Sequence, residues 1–356
     1  MFVYKEFLRL KNNLPAVAHI TLNVKCMHKC KTCGYWRIYE KVKDRGMKKE
    51  EIFKICDDLI SFGIKRFLFV DTDPLLRKDL PEIIKYLKNK DAHVQIVTTG
   101  MNLNKIFAEN LISSGVDVIK FSIDGHNGLN DFIRGIKGAY KKSVQGIKTL
   151  KELRRNKNKP KIYVMTVVSK LNINEIEKIK EKIYYDTGGV DNHYFGPVLE
   201  IKKDVFEKTK WKGKNVASLN LIPYEKSYSL NYHDIKKLLK INKDKGTYFL
   251  FGRIIKLLDA ILYIKRRKCP SFHQVHIDVD GNLIPCSFLP GIKLGNLKEN
   301  SIKELWRKRE HSKFINYLRK KAFPVCFEIC WKRSIFNVAS QTASLRELIF
   351  KRFGKF

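Results

Sequence analysis

Between residues 16 and 198 of this chain, short apolar runs alternate with amphipathic ones, and that alternation limits the fold more than any other feature. VAHITLNV (17–24), KRFLFV (65–70), HVQIVTTG (93–100), VDVIKFSIDG (116–125), KIYVMTVVS (161–169) and VDNHYFGPV (190–198) read as strands. Between them, 48–63, 79–90, 104–115, 139–156 and 174–186 carry apolar residues at helical spacing. Strands separated by helices pair in parallel, because a parallel pair needs a crossover. Right-handed crossovers then wind about six βα units into a full or partial barrel, or into an open doubly wound sheet.

After residue 198 the rhythm breaks. Residues 199–246 are Lys- and Asn-rich and read as an insertion or linker, and 247–268 as a bridging basic amphipathic helix. From 269 to about 335 a second, smaller α+β unit is expected. In it QVHIDVDGNLIPCSF (274–288) forms a hairpin turning at Asp280-Gly281, and 301–321 a helix. Residues 1–15 and 336–356 are basic end segments. No uncharged apolar run reaches the ~18 residues of a membrane span. The longest, 247–264, holds Arg253, Lys256 and Asp259. With no secretory signal visible, the expected location is the cytoplasm, where thiols stay reduced and available to metal.

The chain has 71 Lys and Arg against 36 Asp and Glu, a net charge of +35. Ion pairing cannot absorb that excess. It implies attraction to something anionic, or a compositional bias that makes every surface basic. Segments 2–11, 247–268 and 343–356 mix Lys and Arg with aromatic and aliphatic residues. They suit peripheral contact with an anionic membrane, or packing on the barrel under their own Lys stems. Eight cysteines in 356 residues are too few for a disulfide scaffold.

Three of those cysteines, Cys26, Cys30 and Cys33, form C-x3-C-x2-C in the polar loop after the first strand. Three thiols within eight residues point to metal. Zinc would take His28 as a fourth ligand. A [4Fe–4S] cluster would use the three thiolates and leave one iron open. The spacing favours iron–sulfur, since zinc knuckles use C-x2-C pairs.

In spacing and in place, CMHKCKTC (26–33) resembles the radical S-adenosylmethionine (SAM) superfamily, over roughly residues 16–198. The resemblance implies a partial (β/α)6 TIM-like barrel. It also implies a [4Fe–4S] cluster whose open iron chelates the amino and carboxylate groups of SAM. Reductive cleavage of SAM then yields methionine and a 5′-deoxyadenosyl radical that abstracts hydrogen from a substrate. A low-potential donor of ferredoxin or flavodoxin type is implied as well. Thr32 stands where the family often has an aromatic residue.

Other family positions follow the strands. Asp71-Thr72-Asp73-Pro74 stands where the family has G-G-E-P, so Asp73 replaces the acid that lies against the SAM amino group, and Asp71 and Thr72 replace the glycines. A plain β-turn with a helix N-cap is the alternative for this stretch. Thr98-Thr99-Gly100 ends strand three, and Ser122-Ile123-Asp124-Gly125 ends strand four, where SIDG is common in the family. These place Thr98, Ser122 and Asp124 at the SAM site. Arg134 is a partner for the methionine carboxylate, or else a surface arginine. Ser169, Asn172 and Gly196 are further candidates.

Cys269, Cys286, Cys326 and Cys330 make a second four-ligand set, with a C-x11-G-x4-C half and a C-x3-C half. An all-cysteine zinc site fits them. The pattern, and GNLKENSIKELW (295–306), also resembles the twitch and SPASM extensions, which implies an auxiliary [4Fe–4S] cluster. Cys56 reads as a buried thiol on a helix, and His19, His93 and His276 as core or satisfied polar residues.

The reading is a radical SAM enzyme acting on a peptide or small cofactor precursor. One alternative is the same chemistry on a membrane-borne lipid. Another is a nonenzymatic zinc protein that binds nucleic acid through its charge, although no recognised nucleic-acid motif is present.

Overall fold

The computed structural model describes residues 14–36, 45–155, 157–200, 202–217, 228, 230, 274–308, 312–314, 316–317 and 323–326. Strands β1 (Val17–Ile20), β2 (Arg66–Phe69), β3 (His93–Thr98), β4 (Val118–Ser122), β5 (Lys161–Val168) and β6 (Asn192–Pro197) pair in parallel, each with the next. Helices α1 (Lys49–Ser61), α2 (Leu80–Lys88), α3 (Lys105–Ser113), α4 (Asn127–Arg134), α5 (Ala139–Arg154) and α6 (Ile176–Thr187) supply the crossovers. Among the described residues, strand β6 is one edge of the sheet and does not close onto β1. The barrel is therefore partial.

Burial follows the strand period of two. Ala18, Ile20, Phe67, Phe69, Val94, Ile96, Ile162 and Val164 are fully buried in one core with Ile52, Ile55, Leu59, Ile83, Ile84 and Leu87 from the helices. The alternating positions His19, Leu68, Gln95, Lys120, Tyr163 and Met165 are only half-buried. They share the inner face, which an open barrel leaves partly uncovered. Cys56 lies in the helix-side core, as expected.

Four features depart from the sequence reading. Helix α4 was not anticipated, because eight residues including Gly128 carry a weak periodic signal. The stretch after residue 198 holds α7 (Lys203–Lys208) and a hairpin of β7 (Lys210–Trp211) and β8 (Lys214–Asn215). Lys212 and Gly213 turn that hairpin at positive φ. The hairpin of β9 (Gln274–Ile277) and β10 (Asn282–Ile284) continues the main sheet, since β9 pairs in parallel with β1 and β11 (Gly295–Asn296) follows β10. Helix α8 (Ile302–Arg307) starts at a Ser301–Glu304 capping box and breaks where Lys308 turns extended, and helical backbone resumes at 312–314 and 316–317, so the single helix expected over 301–321 is interrupted.

The turn at Asp280-Gly281 is as expected. The Asp278 carboxylate accepts from the Asp280 and Asn282 N–H groups, and Gly281 takes φ +84. His19 and His276 face each other across β1 and β9 with ring centroids 4.4 Å apart. His276 shares Nδ1 with Ser287, while its buried Nε2 has no partner among the described residues, so it is only half satisfied. A second apolar cluster gathers Val216, Cys286, Leu289, Ile292, Phe314, Phe323, Val325 and Cys326, with Trp211 against Phe314 and Tyr317. The bridging helix at 247–268 and the basic segments 2–11 and 343–356 lie outside the described residues.

One buried carboxylate anchors the bottom of the sheet. Asp117 accepts from Lys88 and Lys159 and from the Val94 N–H. Burial pushes its pKa up, but those donors outweigh burial and hold it below the ordinary 3.8. Asp117→Ala is expected to lose about 2 kcal/mol in urea unfolding, because the Val94 donor is stranded. A depressed folded pKa means that this stabilisation is present above pH 3.8 and is lost as pH falls through the folded value. The gap between wild type and variant should close in acid.

Candidate active site

A cavity of about 400 Å³ opens at the C-terminal ends of the strands. The cysteine loop, the turn after β2, the ends of β3 to β6 and Phe288 from the C-terminal hairpin wall it. Cys26, Cys30 and Cys33 all reach this wall.

The cysteine loop is held by the unanticipated helix α4. The Lys31 N–H donates to the Ile133 carbonyl at 2.8 Å. Gly135 ends α4 at φ +70, and a Cβ there would stand 2.5 Å from the Lys29 carbonyl oxygen. Within the loop, the Cys33 N–H and the Trp36 indole N–H both donate to the Cys30 carbonyl.

Arg134 joins the loop to the barrel. Its Nη2 lies 2.9 Å from Asp124 Oδ2 and its Nη1 lies 3.8 Å from Cys30 Sγ. Both side chains are buried, Arg134 to 11% and Asp124 to 1% exposure, so Arg134 is no surface arginine. The expected ligand for its fork, a carboxylate, is found within the protein. Its Nε–H is buried with no partner among the described residues, which leaves one donor in reserve. Asp124 also accepts from the Val167 N–H.

Asp73 is on the wall, but its carboxylate is turned into the rim. It accepts from the Leu75 N–H, the Thr98 and Thr99 hydroxyls and the Thr99 N–H. Thr98 therefore positions Asp73, and its hydroxyl accepts from the Gly100 N–H. Gly100 takes φ +76 against Phe121, whose ring leaves no room for a Cβ. Ser122 and Gly196 lie on the wall. Ser169 and Asn172 are not wall residues. Ser169 is fully buried and accepts from the Leu171 N–H, and the Asn172 amide ties the Asp124 and Val167 carbonyls together. They brace the ends of β4 and β5 instead of meeting a ligand.

Sequence reasoning named Thr99 only as part of the motif ending strand three, and it missed Thr166 and Phe288. Thr166 donates to the Ile123 carbonyl and meets His193, while Phe288 comes from a hairpin whose docking on β1 has no local signal. His28, the expected fourth ligand to zinc, is buried with Nε2 at 2.8 Å from the Thr99 hydroxyl. Burial, then Arg134, lowers its pKa to about 4, so the imidazole is neutral.

The donor set fits a cluster better than a single ion. Tetrahedral zinc would hold its sulfurs about 3.8 Å apart, from Zn–S bonds of 2.3 Å. Among the described residues, no three Cys, His, Asp or Glu side chains converge on one ion position. The three thiols are nonetheless close enough to repel one another as thiolates. Burial, and then neighbouring thiolates, raise Cys26 to about 11 and Cys33 to about 12, and burial raises Cys30. Arg134 is the cation facing all three. Further positive charge, as iron supplies, is what keeps such thiols ionised. In the second set, Cys286 and Cys326 are buried in the same small apolar cluster, while Cys269 and Cys330 lie outside the described residues.

Removing Arg134 should be costly. Arg134→Ala leaves Asp124 buried without its cation and is expected to lose about 3 kcal/mol in thermal or urea unfolding. Arg134→Lys, which keeps the charge but not the fork, should fall between.

Comparison with known proteins adds to this geometry. The model of the radical SAM superfamily matches residues 20–183, and that of an iron–sulfur cluster-binding domain, SPASM, matches residues 269–331. Fe-coproporphyrin III synthase of Methanosarcina barkeri is 31% identical over 161 residues, 44% of this chain and 37% of that protein. AdoMet-dependent heme synthase of the same organism is 26% identical over 302 residues, 81% of this chain and 80% of that one. The chain thus spans little more than a third of the first relative and four fifths of the second. Native anSMEcpe with bound AdoMet and Cp18Cys peptide superposes with a TM-score of 0.62 at 20% identity, covering 96% of this chain and 97% of that one. That likeness shows the fold.

Proposed function

The chain belongs to the radical SAM superfamily and carries a C-terminal SPASM iron–sulfur domain, and from that premise we propose that it cleaves SAM beside Cys26, Cys30 and Cys33 and turns the radical on a small cofactor precursor. One observation carries the site assignment: the three thiols of the C-x3-C-x2-C loop share one cavity wall with the ends of β3 to β6. The zinc-dependent nucleic-acid reading falls with the family assignment.

A bound [4Fe–4S] cluster supplies the electron that breaks the sulfonium carbon–sulfur bond, giving methionine and a 5′-deoxyadenosyl radical. The electron comes from a donor of ferredoxin or flavodoxin type. The protein's own part is to hold and shield. Arg134 offsets the thiolates' charge, and Asp124 fixes the guanidinium. Val97, Met165, Val167 and Phe288 give the cavity apolar walls that exclude water from a reactive intermediate. Ser122 offers a hydroxyl on the same wall.

Alignment length supports one substrate class over the other. The relative aligned over four fifths of both chains is a heme synthase, which supports a cofactor precursor of tetrapyrrole type. A peptide is the second reading, supported by the peptide-bound structure of the same fold. Auxiliary-cluster ligation by Cys269, Cys286, Cys326 and Cys330 is part of the same proposal. Membrane contact is supported by the three basic segments, and sedimentation with anionic liposomes tests it: pelleting at low salt that salt reverses is the expected result.

After anaerobic reconstitution the chain should hold about eight irons. With a strong reductant it should convert SAM to 5′-deoxyadenosine, faster with Fe-coproporphyrin III than with a peptide. Cys30→Ala should abolish the conversion, and Cys286→Ala should remove about half the iron. Zinc without iron would overturn the proposal.

A further inference from the structure

The stretch Asp71-Thr72-Asp73 presents two carboxylates at the cavity, and they are differently employed. Asp73 is 3% exposed and already accepts four hydrogen bonds, from Leu75, Thr98 and Thr99. A carboxylate has about four lone-pair sites, so Asp73 has none left for a ligand. Asp71, by contrast, is exposed, and it lies on the cavity wall. Its Oδ2 accepts from the Thr21 hydroxyl at 2.8 Å, and Ser287 is its other hydroxyl partner. Among the described residues it forms no ion pair.

Charge on the wall points the same way. Arg134 is the one Lys or Arg side chain on the cavity wall among the described residues, and Asp124 matches it. A chain of net charge +35 thus keeps an uncompensated carboxylate at this cavity. The backbone adds a further sign. Asp71 takes φ +76, where an L-residue is strained by roughly 1–2 kcal/mol and glycine is at ease. A turn needed for shape alone would be better served by glycine.

We propose that Asp71, and not Asp73, is the carboxylate that accepts hydrogen bonds from the amino group of SAM. This assignment rests on the SAM reading above. SAM is a cationic ligand whose amino N–H groups need acceptors, and Asp71 is the cavity carboxylate that has acceptor capacity to spare and no cation paired with it among the described residues. Asp73 instead ties the turn after β2 to the end of β3.

Calorimetric titration of the reconstituted protein with SAM, and with a SAM analogue lacking the α-amino group, tests this. Asp71→Asn should weaken SAM binding by about 10–100-fold, as for a hydrogen bond to a charged group. Its affinity for the deaminated analogue should stay within about threefold of wild type. Asp71→Gly, which suits the backbone, should show the same selective loss with an unchanged melting temperature, so misfolding cannot mimic the result. Asp73→Asn should lower the melting temperature and shift both ligands in parallel. Unchanged SAM affinity in Asp71→Asn, an equal loss for both ligands, or a selective loss in Asp73→Asn instead would overturn the assignment. Wild-type protein that holds its iron yet binds no SAM would overturn the SAM reading, and this assignment with it.

Discussion

The buried guanidinium of Arg134, set between Asp124 and the Cys30 thiol, is the interaction on which the site depends. Three thiols placed together in a low-dielectric loop resist ionisation, and metal binding requires thiolates. A fixed cation beside them lowers that barrier before any metal arrives. Arg134 could not be held there alone, since an isolated buried charge is costly. Asp124, at the end of β4, supplies the opposite charge, and the Val167 N–H holds Asp124 in turn. The cysteine loop is thus coupled to the ends of two strands through one arginine.

The open barrel determines what surrounds that arginine. Helix-side strand positions are fully buried and make the core, whereas inner positions are half-buried. Closure by a strand between β6 and β1 would fill that face with packed side chains. Here β9 instead extends the sheet past β1, bringing Ser287 and Phe288 to the cavity and Cys286 beside it in sequence. The same edge pairing thus builds the cavity wall and places Cys286 of the second cysteine set.

Much of this was legible in the sequence, for identifiable reasons. The six strands are apolar runs of the right length, and the hairpin turn at Asp280-Gly281 has its own chemistry. The C-x3-C-x2-C spacing carried the cluster assignment, because ligands close in sequence need no tertiary information. Arg134 was found, but its partner was not, since the contact with Asp124 depends on α4, a helix too short to show a period. Asp73 was placed on the cavity, yet its saturation by Thr98 and Thr99 depends on how the ends of β2 and β3 meet. Ser169 and Asn172 carry the right residue types and serve the scaffold. The helix expected at 301–321 is interrupted instead of continuous, because the extended backbone at Lys308 separates 302–307 from the helical residues 312–314 and 316–317, a break that the apolar period does not show.

The central claim is that the cavity wall made by Cys26, Cys30 and Cys33 holds an iron–sulfur cluster that SAM touches directly. Electron paramagnetic resonance of the reduced, reconstituted protein, recorded with and without SAM, tests it most directly. With Cys269, Cys286, Cys326 and Cys330 all changed to Ala, only the first cluster contributes. The account predicts a clear change in that spectrum when SAM is added. A cluster spectrum that SAM leaves unaltered, or no cluster spectrum at all, would contradict it.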